Sequence, residues 1–126
     1  MTDQAFYPGR APIDAYGNGG FRFADMSHRG SLLLLPSGVY GWPVADAGEM
    51  TAESFARVFG EAEAISVLLL GCGADLVPPG AALRQAFSEH GIVVEPMSTG
   101  AAARTYNVLL AEERDVAAAL IAVDEP

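Results

Sequence analysis

At 126 residues the chain has the length of one domain, ~100–150 residues being usual, and it can bury about two thirds of the surface an extended chain exposes. Hydrophobic residues make up 51% and charged residues 18%, a balance that excludes a disordered tail or linker. The net charge of −9 argues against nucleic acid and anionic lipid as partners, and seven arginines with no lysine exclude Schiff-base, lysine-base and lysine-dependent phosphate-loop chemistry.

One domain spanning residues 1–126 is expected, with 1–12 and 124–126 loosely held. The opening MTDQAFYPGRAP lacks the basic start and apolar run of a secretory signal, and no apolar stretch approaches the ~20 residues that span a bilayer. The expectation is a cytoplasmic protein without membrane insertion. Cys72 stands alone and histidines occur only at 28 and 90, so neither an internal disulfide, a spaced metal cluster nor a bound cofactor is expected.

In chain order, Asn18-Gly19-Gly20 lies between two β-prone runs within residues 13–23 and predicts a tight reversal. Residues 31–35 (SLLLL), stopped by Pro36, and residues 39–44 (VYGWPV) read as two further strands. From Thr51 the spacing of Ala52, Phe55, Val58 and Phe59 predicts an amphipathic helix that ends at Gly60. Residues 65–70 (ISVLLL) are apolar on both alternations, as a strand buried on two faces would be.

Pro78-Pro79-Gly80 leads into a helix over 81–90 with an apolar stripe of Leu83, Ala86 and Phe87, and residues 92–95 form the next strand. Strand, helix and strand within about thirty residues make a crossover whose two strands are parallel. Thr99 then reads as the N-cap of a third helix carrying Ala102, Tyr106, Leu109 and Leu110 toward a core. Residues 114–123 fit either a strand or a helix, and strand is the reading adopted. The fold class is α/β: a layered domain with an N-terminal β-hairpin region.

Met97-Ser98-Thr99, Ala102, Arg104-Thr105-Tyr106-Asn107 and Leu109 together resemble the signature of a small α/β domain of unknown function with archaeal, bacterial and mitochondrial members. The glycines of residues 13–23, the SLLLL run, Trp42-Pro43, the LLLGCG turn and the closing VAAALI agree in order, so the likeness spans residues 13–123. One branch of that family is the mitochondrial assembly factor of respiratory complex I, and another is an animal cytosolic protein associated with adipogenesis. The resemblance implies a mixed central sheet flanked by helices, and a protein partner in respiratory or membrane-complex assembly. Cys72 departs from the pattern, where threonine or another small residue is usual, so a cysteine nucleophile is not a family trait.

The candidate ligand residues are Gly71, Cys72, Gly73, Asp75, Thr99, Arg104 and Asn107; none is assigned as catalytic or metal-binding. Gly71-Cys72-Gly73-Ala74-Asp75 ends a strand, where glycines turn the backbone sharply and present N–H groups to an anion. A dinucleotide fingerprint would need glycine where Leu76 stands and a helix opening inside the loop. Cys72 is a nucleophile only with a base beside it, and is otherwise a small residue in a tight turn. Arg104 and Asn107, three apart on the predicted helix, share a face that binds either a carboxylate or a backbone segment. Trp42 is a core or rim residue first and a partner anchor second.

The loops 71–78 and 96–99 are expected to converge at the carboxyl edge of the sheet, with the positive end of the third helix and Arg104 inviting an anion unless Asp75 or Glu95 neutralises the arginine. Three functions compete. A non-enzymatic binding or assembly module needs an exposed apolar patch. A small-molecule binding protein or enzyme needs a concave pocket with convergent polar groups. A structural homo-oligomer needs a large self-complementary face.

Overall fold

A computed structural model of the chain describes residues 5–126. The first four residues of the expected loose segment lie outside the described residues; Phe6 and Tyr7 pair with Val39 through Phe6 N–H to Val39 O (2.7 Å) and Val39 N–H to Tyr7 O (3.0 Å).

Two sheets organise the chain. The smaller contains β1 (Ala15–Gly17), β2 (Gly20–Phe23) and β3 (Met26–Arg29), paired antiparallel in that order. The larger contains β4 (Ser31–Leu35), β5 (Gly38–Trp42), β6 (Val67–Gly71), β7 (Val93–Met97) and β8 (Val116–Leu120), in the order β5-β4-β8-β6-β7. β6 pairs parallel with both β7 and β8, while β4 pairs antiparallel with β5 and β8, so the sheet is mixed. The crossover from β6 through the helix α2 (Ala81–Glu89) to β7 gives the parallel pair that the spacing predicts.

Alternation along the strands sorts the core onto two faces. Leu33, Ala119 and Leu70 stand in register on one face, beneath Phe55, Val58, Leu83 and Phe87. Leu32, Leu34, Leu69, Ala118 and Leu120 line the other, against Phe21 and Phe23 of the small sheet and Ala102, Ala103 and Tyr106 of α3 (Thr99–Ala111). The molecule therefore has three layers: α2 with the segment before β6, the large sheet, and α3 with the small sheet. Ala117, Ala118 and Ala119 are completely buried in β8, the middle strand. An alanine run of ambiguous propensity becomes a strand because β4 and β6 satisfy its backbone on both sides.

Two readings are corrected and one strand is added to them. The helix expected from Thr51 is a 3-10 turn over Glu53–Phe55 followed by a single α turn, α1 (Ala56–Phe59). Phe55 breaks the regular geometry at φ −108°, and its side chain is driven fully into the core. Second, β3 is an element the hydrophobic pattern does not announce. Its turn, Ala24-Asp25, has both residues at positive φ (48° and 63°) with no glycine, so the usual hairpin signal is missing. Third, β5 ends at Trp42, two residues earlier than the pattern indicates. Trp42 Nε1 donates to Ser54 O (2.7 Å), and Val44 O accepts from Ser31 Oγ (2.6 Å) instead of extending the ladder.

Candidate functional site

The loops after β6 and β7 do converge at the carboxyl edge of the sheet, joined by direct hydrogen bonds. Cys72 N–H donates to Met97 O (2.8 Å), and Thr99 N–H donates to Gly73 O (2.8 Å). The Thr99 hydroxyl accepts from Gly73 N–H (3.0 Å) and donates to Ile121 O (2.7 Å), while Ile121 N–H donates to Gly71 O (3.0 Å). One buried threonine thus ties together β6, the start of α3 and the end of β8. Gly71 is required by this closeness: a Cβ there would stand 2.9 Å from Thr99 Cα and 3.0 Å from Leu120 Cδ2.

The N-cap of α3 is Ser98, one residue earlier than the sequence reading placed it. Ser98 keeps extended backbone angles (φ −65°, ψ 157°) and its Oγ accepts from Ala101 N–H (3.3 Å). Thr99 is already helical and wholly buried, its hydroxyl spent on Gly73 and Ile121.

Cys72 is 5% exposed, and its Sγ faces two carbonyl oxygens, Val77 O at 3.2 Å and Leu70 O at 3.5 Å. Neither histidine engages the thiol. His90 stacks on Phe59 with ring centroids 4.1 Å apart and sets Nδ1 2.8 Å from Ala86 O, while His28 packs against Phe6. Asp75 is exposed in the loop. Among the described residues no ion pair links Asp75 or Glu95 to Arg104.

Arg104 and Asn107 share a face of α3, as their spacing requires, and both serve the N-terminal segment. Arg104 Nη1 donates to Tyr16 Oη (3.2 Å). Asn107 accepts from Ile13 N–H through Oδ1 (2.8 Å) and donates to Ile13 O through Nδ2 (2.8 Å). The seven candidate residues therefore divide: Gly71, Gly73 and Thr99 are bonded in one junction with Cys72 beside it, Asp75 extends into the loop, and Arg104 and Asn107 anchor the N-terminal layer.

Two features lie outside those seven. Leu76 (53% exposed) and Val77 (40%) project from the loop between β6 and α2, an apolar lip on a surface where large hydrophobics are otherwise mostly buried. It borders a groove of about 330 Å³ whose lining includes Met50, Ala52, Val77, Pro78 and Leu83. The run Leu76-Val77-Pro78-Pro79 was the available signal, an apolar tetrad in a loop. The second feature is Tyr106, completely buried in α3 with a hydroxyl that has no hydrogen-bond partner among the described residues. Burial pushes its pKa from 10.0 up to about 12, against a smaller opposing pull from Arg10.

Fold and site define a class: a three-layered α/β domain with a mixed five-stranded sheet, an antiparallel N-terminal sheet and a hydrogen-bonded junction at its carboxyl edge. The chain belongs to the family described as "Protein of unknown function (DUF498/DUF598)", whose pattern matches residues 13–121. It is 40% identical to an uncharacterised protein of Rhodobacter capsulatus over 91% of this chain and 87% of that one. It is 32% identical to mouse NADH dehydrogenase [ubiquinone] 1 alpha subcomplex assembly factor 3 over 94% of this chain, which spans 64% of the mouse protein. A crystal structure described as an outer membrane protein from Bartonella henselae superposes with a TM-score of 0.90 at 56% identity, covering 94% of this chain and 99% of that one. Among the described residues no helix is long and apolar enough to cross a membrane.

Proposed function

We propose that this chain is a non-enzymatic assembly module of the cytoplasm that binds a protein partner through the lip formed by Leu76 and Val77. The carrying observation is the exposure of those two side chains beside an apolar groove, a kind of surface that marks interaction sites. The loop is held before any partner arrives: Cys72 Sγ contacts Val77 O, Gly73 is bonded to Thr99, and Pro78 and Pro79 fix their own φ angles. A preordered loop loses little conformational freedom on docking, which raises affinity without additional contact area. The mouse relative's designation as an assembly factor for an NADH dehydrogenase subcomplex supports a partner of this kind, a component of a respiratory or other membrane complex.

The test is site-specific crosslinking in cells, with a photoreactive phenylalanine analogue replacing Leu76 in one strain and Val108 in another. Val108 is 57% exposed on α3 and serves as the apolar control. A protein adduct formed from position 76 and absent from position 108, and abolished by Val77→Glu, is the expected result. Equal adducts from both positions, or none from 76, would remove the lip as a docking surface. An adduct of twice the chain mass would make the partner a second copy.

A further inference from the structure

A second feature is the outward face of the small sheet β1-β2-β3. The pairings Ala15 with Arg22, Arg22 with Ser27, Gly17 with Gly20 and Gly20 with Arg29 place these six residues on one face, opposite the buried Phe21 and Phe23. A hollow of about 420 Å³ lies there. Ala15, Gly17 and Gly20 carry little or no side chain, Pro126 packs against Gly17 with its Cδ 3.1 Å from where a Cβ would lie, and Arg22 and Arg29 are exposed at the sides. They are diagonal neighbours on β2 and β3, and such positions stand roughly 7–8 Å apart. That spacing lets two guanidinium forks close on one oxyanion.

Charge distribution supports a ligand. The chain has sixteen carboxylates against seven arginines, yet no carboxylate lines this hollow and two arginines do. Neither is in an ion pair among the described residues. Arg29 Nη1 makes one long hydrogen bond, 3.4 Å to Asn18 O, which leaves most of its donors available. Arg29 Nη1 and Asp124 Oδ1 both face the β1–β2 turn, 3.5 and 3.8 Å from where a Cβ on Gly19 would lie, so this carboxylate is the nearest competitor for the guanidinium although the two form no ion pair among the described residues. Ser27 and Asn18 add polar groups at the floor and rim.

We infer that this hollow binds a small, doubly charged oxyanion, a phosphate or a dicarboxylate, between Arg22 and Arg29. The test follows amide resonances of the isotope-labelled full chain at pH 7.5 during titration with inorganic phosphate, with succinate, and with sodium chloride at matched ionic strength. Saturable shifts within residues 15–29 are expected for phosphate, succinate or both, and whichever saturates identifies the source of the oxyanion. Arg22→Gln and Arg29→Gln should each raise the Kd at least fivefold, and Arg84→Gln on the distant α2 should leave it unchanged. Chloride reproducing the same shifts would reduce the effect to charge screening and overturn the site. Shifts centred elsewhere, or full binding by both variants, would overturn it equally.

Discussion

The carboxamide of Asn107 pairs with both backbone groups of Ile13, which lies 94 residues earlier in the chain. An amide side chain presents one donor and one acceptor side by side, so it continues the pattern a neighbouring strand would offer. Ile13 is 5% exposed, and among the described residues nothing else takes up its N–H or C=O. Asn107→Ala leaves both groups unpaired and should cost about 2 kcal/mol by denaturant unfolding. Asn107→Asp keeps the shape but replaces a donor with an acceptor facing Ile13 O, and should be at least as destabilising above the carboxylate pKa. Faster hydrogen exchange at the Ile13 amide locates the loss; unchanged protection there would contradict the clamp.

Thr99 predicts differently, because its hydroxyl works in two directions at once. Thr99→Val keeps the volume and removes both bonds, stranding Ile121 O and Gly73 N–H, at a cost of roughly 2–3 kcal/mol. Thr99→Ser retains the hydroxyl and should recover most of that. A serine variant as unstable as the valine variant would assign the effect to the lost methyl and not to the hydrogen bonds.

Ala24 is held at φ 48° in the β2–β3 turn, where a Cβ is unfavourable. Ala24→Gly removes that strain at some cost in unfolded-state entropy, and should stabilise the protein by about 0.5–1 kcal/mol. Thermal unfolding of the two proteins measures it, and destabilisation would show that the alanine methyl contributes packing that outweighs the strain.

What the sequence made legible follows from which interactions are local. The α2 crossover, the reversal at Asn18-Gly19 and the doubly apolar β6 are written in spacing and turn chemistry within a few residues, and the convergence of the loops after β6 and β7 follows from their parallel pairing. β3 was not legible because Met26-Ser27-His28-Arg29 has no apolar alternation and its turn uses Ala24-Asp25. The division of the candidate site was not legible either. Tyr16 and Ile13 lie 88 and 94 residues from the side chains that hold them, and only packing of the small sheet on α3 reveals those pairs. Thr99 could be assigned to a cap or to the core only once Ser98 was seen in the capping position.

The Tyr106 hydroxyl gives a prediction in which pH separates electrostatics from packing. In the unfolded chain the phenol has its ordinary pKa of 10.0, whereas burial in the folded chain raises it to about 12. Because the folded value is the higher one, the stabilising difference is fully present below pH 10 and is lost as pH rises toward 12. Two pH units correspond to roughly 2–3 kcal/mol across that window. Tyr106→Phe removes both the titration and an unpaired buried hydroxyl, so at neutral pH it should be neutral or stabilising by about 1 kcal/mol. It should also flatten the fall in stability between pH 10 and pH 12, as read from urea unfolding at a series of pH values. A variant that loses stability at neutral pH, or keeps the full alkaline slope, would mean that the hydroxyl is satisfied inside the folded protein and that other groups carry the alkaline transition.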